Sequence, residues 1–225
     1  MRPRTQIVLL GLAAVLVVAF VLVLALAGPA SRSPSSSSSS ASSSPNTPSA
    51  SGFDGAALPP GIRAHEFTLT GLAAPAGQAA GAPVSLSSYR GQVVVLTFLY
   101  SGACGDTCIV VAQQIRGALN ELPSPAPAVL IVSADPAADT SASVRAFLAQ
   151  VSLTGRVHYL TGSPAQLRAV WHAYGAIPAS AGRAAFDNSA SVFLIDPSGE
   201  ERVVFGVQQL TPEGLAHDIG KLQAG

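Results

Sequence analysis

The run GQVVVLTFLY, residues 91–100, constrains the fold more than any other stretch of this chain. It is apolar almost without interruption and rich in valine, the pattern of a strand buried on both faces. The only two cysteines follow at once, in YSGACGDTCIVV at 100–111. Beyond them, CIVVAQQIRGALNEL (108–122) places Ile109, Val110, Ile115, Leu119 and Leu122 at a mainly helical spacing. Cys104 therefore falls in a loop between strand and helix, and Cys108 falls where the helix begins.

The rest of the chain extends the same plan. AVLIVSAD (128–135) reads as a second buried strand. TSASVRAFLAQV (140–151) opens on Thr140 or Ser141 as N-cap and sets Val144, Phe147, Leu148 and Val151 on one helical face. RVHYLTG (156–162) is a short strand. SPAQLRAVWHAYG (163–175) has Ser163 as N-cap, Pro164 at the first helical position and Gly175 as stop. SVFLI (191–195) turns through DPSG into ERVVFGV, an antiparallel hairpin. TPEGLAHDIGKL then repeats the Thr-Pro device before a last helix. This alternation predicts an α/β domain of the thioredoxin-like kind, a central mixed sheet flanked by helices with right-handed crossovers.

At such a junction the unpaired N–H groups and the positive end of the helix dipole favour a thiolate. A thiol tuned that way is nucleophilic and also a ligand for a soft metal. Gly102 and Gly105 let the loop bend, and Asp106 lies between the cysteines in sequence. The alternative is a structural disulfide, but a loop closed over three intervening residues restrains the unfolded chain little. A redox pair, a metal-binding pair and a staple all fit the spacing; the junction favours the first two.

Compartment follows from the N-terminus. IVLLGLAAVLVVAFVLVLALA, residues 7–27, has no charged residue and is long enough to cross a hydrocarbon core of roughly 30 Å. Arg2 and Arg4 precede it, so residues 1–6 are expected in the cytoplasm and the remainder outside. The segment reads as a single-pass transmembrane signal-anchor in the cell membrane. A cleaved signal peptide is the rival, since ALA at 25–27 has the small-x-small form of a cleavage site. Residues 28–57 begin with a Ser/Pro-rich stretch that reads as a disordered linker. Residues 58–225 form the expected extracytoplasmic domain, with nine cations against eleven acids. The one lysine and scattered arginines make no basic stripe, so nucleic acid is excluded as a partner.

Several segments, in order, resemble the SCO/SenC family: FTLTG (67–71), VSLSSYRGQVVVLTFLYSGACGDTC (84–108), SADPAADT (133–140), YLTG (159–162) and FLIDPSGEER (193–202). The resemblance covers residues 66 to 224. It implies a membrane-anchored thioredoxin-fold protein associated with assembly of the binuclear copper centre of cytochrome c oxidase. It implies that Cys104 and Cys108 bind copper as Cu(I), act as dithiol and disulfide, or both. Its partner would be the copper-site subunit of cytochrome c oxidase or another extracytoplasmic cysteine protein. The family's third copper ligand is a histidine in an Asp-His stretch before the strand that here reads SVFLID. In this chain the stretch is FDNSA, with Asp187 retained and Asn188 at the histidine's position. A neutral amide there removes a good ligand for Cu(II) and a useful one for Cu(I).

Of the four histidines, none is expected in the loop facing the cysteines. His158 is expected as a structural histidine in its strand, and His172 and His217 on solvated helix faces. Asp135 and Asp139 are expected as loop and capping residues rather than ligands. Trp171 and Tyr174 are expected to pack. Three functions fit these residues: Cu(I) delivery, thiol–disulfide exchange without metal, and a redox or copper sensor on the same scaffold. A peroxidase fits poorly, because Gly105 stands where a threonine would precede the reactive Cys108. An ordinary thioredoxin is disfavoured by the lack of a proline just before SVFLI.

Overall fold

The computed structural model describes residues 51–225. The expected cytoplasmic N-terminus, the span at 7–27 and residues 28–50 of the expected linker lie outside them. Among the described residues, no helix is long and apolar enough to cross a membrane.

In chain order the strands are β1 (Ala56–Ala57), β2 (Thr68–Ala73), β3 (Pro83–Ser85), β4 (Val94–Leu99), β5 (Ala128–Ser133), β6 (His158–Thr161), β7 (Ser191–Ile195) and β8 (Glu201–Gly206). The α-helices are α1 (Asp106–Glu121), α2 (Ser141–Gln150), α3 (Pro164–Ala173), α4 (Arg183–Ser189) and α5 (Pro212–Ala224). The strands form one sheet in the order β1-β8-β7-β4-β5-β6-β2-β3. β4, β5 and β6 are parallel, while β7, β8 and β1 continue one side antiparallel and β2 and β3 continue the other. The expected mixed sheet is present.

β4 lies inside the sheet between β5 and β7, and every residue of it is buried. Its alternate side chains enter two separate cores. Val95 and Leu99 join Ile115 of α1, Phe147 of α2 and Ile219 of α5 on one face. Val94, Leu96 and Phe98 meet Leu86, Leu167, Tyr174 and Phe193 on the other. A strand covered on both faces has no position for a solvated side chain, which is why its sequence is apolar except at Thr97, whose hydroxyl donates to the Ser191 carbonyl.

The helix boundaries follow their capping residues. Thr140 caps α2 by accepting from the N–H of Ser143, whose side chain accepts in return from the N–H of Thr140. Ser163 and Gln166 form the same reciprocal pair on α3, with Pro164 at its first position. At the β7–β8 turn, burial alone would raise the Asp196 carboxyl. Bonds from the Ser198 hydroxyl, the Glu200 N–H and Arg202 outweigh it and hold the group below its usual range.

The described structure begins ahead of residue 58, within the last residues of the expected linker. β1 pairs with β8, Phe53 is buried in the core, and the chain before β1 is tied to α5. Asp218, fully buried on α5, accepts the N–H of Asp54 and of Gly55, each at 2.9 Å. Lys221 donates to the carbonyls of Ser51 and Gly52, both at 2.9 Å, and lies 4.5 Å from the Phe53 ring centre. The sequence hid this because the segment is too short to show a period and its anchor is polar. Asp218→Ala leaves two backbone N–H groups without their acceptor, so a loss of about 2–3 kcal/mol in unfolding free energy is expected. Denaturant titration followed by far-UV circular dichroism measures it; a loss under about 0.5 kcal/mol would show the tie to be superficial.

Candidate functional site

The loop after β4 carries Tyr100 to Gly105, and α1 begins at Asp106. Gly105 occupies the N-cap position with φ +68°, and no side chain caps the helix. A positive φ suits glycine, which explains why a loop this short can turn directly into a helix. Cys108 is therefore the third helical residue rather than the first.

Cys104 and Cys108 are joined as a disulfide, with Cα atoms 5.8 Å apart. That separation lies inside the range a disulfide spans without moving the backbone. Both cysteines are buried, Cys104 at 3% exposure and Cys108 at 0%. They belong to the same apolar cluster as Leu99, Tyr100 and Phe186. In this state the sulfurs are bonded to each other, so any metal held by them requires reduction first.

The loop is held from beneath by Asp139. Its Oδ1 accepts the Ser101 N–H at 2.6 Å and the Ser101 hydroxyl at 2.7 Å. Its Oδ2 accepts the Ser133 hydroxyl at 2.6 Å and the Tyr159 hydroxyl at 2.9 Å. One carboxylate, only 5% exposed, thus links the cysteine loop to the end of β5 and to β6. Burial of Tyr159, followed by the Asp139 charge and hydrogen bond, drives its phenol well above the usual range. Tyr159 therefore stays a neutral donor. The expectation for this loop divides: Thr140 is the cap, while Asp139 is a buried hub. Asp135 accepts from the N–H groups of Ala137 and Ala138 and shapes the turn, as expected of a loop residue. Ala138 in turn packs against Gly102, bringing the two loops into contact.

The segment FDNSA forms part of a short helix, α4, which has no helical period in its sequence. The Asn188 side chain is exposed on it and has no hydrogen bond among the described residues, while Phe186 packs edge-on against Tyr100 with ring centres 4.9 Å apart. Arg183 of α4 also reaches the cysteine loop. Its guanidinium fills the space that a Cβ on Gly105 would occupy. Asp187 lies 3.9 Å from the Arg183 Nε through Oδ2, and its Oδ1 is buried without a partner. Burial raises the Tyr100 phenol; Arg183 opposes that rise, and Asp187 and Asp135 add to it. Nothing in the sequence pairs Arg183 with Gly105, so the contact was not legible there.

The histidines lie elsewhere. His158 is buried at the start of β6, its Nε2 2.8 Å from the Tyr89 hydroxyl, and desolvation lowers its pKa. His172 is exposed on α3, and His65 offers its carbonyl to the Tyr174 hydroxyl. His217 is 3.0 Å from Asp218 and 3.3 Å from Asp54, at the tie to α5. Those three residues bring metal-type ligand atoms together, yet Asp218 already spends both oxygens on backbone N–H groups. Trp171 donates to the Ser133 carbonyl and, with Pro136, Arg168 and Pro178, lines a groove of about 530 Å³.

Comparison with known proteins places this arrangement. A family model described as SCO1/SenC matches residues 69–224. No curated protein matches the chain by sequence. Among solved structures, apo Sco1 of Thermus thermophilus is similar at 20% identity and a TM-score of 0.59, over 76% of this chain and 96% of its own. Yeast Sco1 with copper bound is similar at 20% identity and a TM-score of 0.57, over 73% and 93%. The thioredoxin domain of a thiol-disulfide oxidoreductase from Bacteroides vulgatus follows at 17% identity and a TM-score of 0.53, over 73% and 97%.

Proposed function

Because the chain belongs to the SCO1/SenC family, we propose that Cys104 and Cys108 work as a dithiol–disulfide couple in assembly of the cytochrome c oxidase copper centre. The single observation that carries this reading is the closed pair at the start of α1, seated in an apolar cluster. The reduced pair would transfer two electrons to a disulfide on the oxidase's copper-site subunit or on another extracytoplasmic cysteine protein. The membrane anchor at 7–27 and the tether after it would hold the domain outside the cytoplasm, where such partners are.

A second reading is Cu(I) delivery, with copper as cargo. Two thiolates are soft donors and suffice for two-coordinate Cu(I). The likeness to yeast Sco1 with copper bound supports it. Asn188 argues for weaker retention, because an exposed amide replaces the family's imidazole.

Two measurements test these readings on the purified chain. Equilibration with glutathione buffers is expected to give reversible two-electron exchange, with a potential of roughly −180 to −300 mV. A pair that stays inert to thiol exchange would leave it a structural staple. The reduced chain, titrated with Cu(I) against a competing chelator, is expected to hold one ion, and the oxidised chain none. Equal binding by both forms would remove copper from the cysteines.

A further inference from the structure

Arg183 is not one of the family's ligands, yet it is a cationic side chain set directly against the cysteine loop. Its guanidinium occupies the space above Gly105, the residue that follows Cys104 and caps α1. Its pairing with Asp187 is long, at 3.9 Å and through Nε, which leaves the Nη side turned to the loop. The two sulfurs are almost without solvent, so water does little to stabilise charge that develops on them.

We propose that Arg183 is a positioning residue for the disulfide couple, its fixed positive charge stabilising the sulfurs when the Cys104–Cys108 bond opens. The proposal rests on the dithiol reading above. In the exchange, a thiolate of a partner dithiol attacks one sulfur of the pair and forms a mixed disulfide. The Cys104–Cys108 bond breaks, and its electron pair goes to the other cysteine as a thiolate. The partner's second thiol, having lost its proton to water, attacks the mixed disulfide and closes a partner disulfide. The remaining cysteine leaves as a thiolate. Two electrons pass from the partner dithiol to this chain, and the reverse reaction runs through the same steps. Negative charge appears on this chain's sulfurs in both steps, and the cation over Gly105, next in sequence to Cys104, needs no proton transfer to be present.

The arrangement differs from a metal ligand in its consequence. An imidazole at this place would donate a lone pair to copper, whereas a guanidinium has none to give. It offers charge to the reduced, metal-free pair.

The test compares the wild-type chain with Arg183→Gln and Arg183→Lys in glutathione redox buffers. Arg183 is more than half exposed, so solvent screens it and the effect is severalfold rather than thousandfold. The expected result is that Arg183→Gln shifts the equilibrium about fivefold towards the disulfide, about 20 mV more reducing. Arg183→Lys keeps the charge and is expected within about twofold of wild type. Thermal melts of the oxidised forms check that all three are folded alike. If both variants match wild type, Arg183 has no such role. If both shift equally, the guanidinium acts by packing on Gly105 and the charge proposal falls. If the wild-type pair does not exchange at all, the dithiol reading itself fails, a result distinct from either.

Discussion

Cys104→Ser and Cys108→Ser are each expected to abolish the complete two-electron dithiol–disulfide exchange and to weaken Cu(I) retention by at least about 100-fold. A single remaining sulfur can form a mixed disulfide but has no neighbour to resolve it, and it offers one soft donor where two converge. The loss is expected to be chemical rather than structural. The disulfide closes only a short loop, so its removal costs about 2 kcal/mol in the chain-entropy account. For a domain of this size that is a fall of roughly 4–8 °C in melting temperature. Stopped-flow thiol exchange, Cu(I) competition and a thermal melt on each variant separate the two effects. Exchange at the wild-type rate in either serine variant would show that the pair is not the working site.

Asp139→Ala is expected to produce the largest loss of stability, about 3 kcal/mol. The carboxylate accepts from Ser101, Ser133 and Tyr159, and the Ser133 side chain is fully buried. The Tyr159 hydroxyl retains the Leu99 carbonyl as a partner, and the Ser101 hydroxyl retains Ser143. The Ser101 N–H and the Ser133 hydroxyl are left with nothing in their place, which sets the size of the effect. A fall of roughly 6–12 °C in melting temperature is the expected reading by circular dichroism. Because Ser101 begins the cysteine loop, the same variant should reduce faster with dithiothreitol. A melt within about 2 °C of wild type would mean that water replaces the carboxylate without cost.

The sequence and the structure agree most closely where a physical pattern repeats. β4 is plain in the sequence because burial on both faces demands apolar residues at nearly every position, Thr97 being the exception with its hydroxyl bonded to a backbone carbonyl. α2 and α3 could be bounded to within a residue because their caps are local, each made by side chains three positions apart. The cysteines were legible because two sulfurs near each other in sequence at a strand–helix junction are near each other in space. Asp139 was read as a loop or capping residue because its partners, Ser101 and Tyr159, come from other elements. Arg183 and Asp218 were missed for the same reason. Asp218 accepts from backbone N–H groups and Arg183 packs over a glycine, both in distant segments, and neither kind of partner leaves a mark on a sequence. α4 was missed because seven residues carry too few turns to show a period.

The tie between the segment before β1 and helix α5 has a topological consequence. Lys221 reaches the Ser51 carbonyl, so the first described residues and the last helix of the domain are one hydrogen bond apart. A few added residues would join residue 51 to residue 225, closing the domain into a ring. Fresh ends could then be opened at the exposed turn around Gly77 and Gly81, between β2 and β3. In such a circular permutant the disulfide, Asp139 and the β4 core would keep their connections unbroken. The place where the domain joins its tether is thus a matter of chain order, separable from the fold that supports the cysteines.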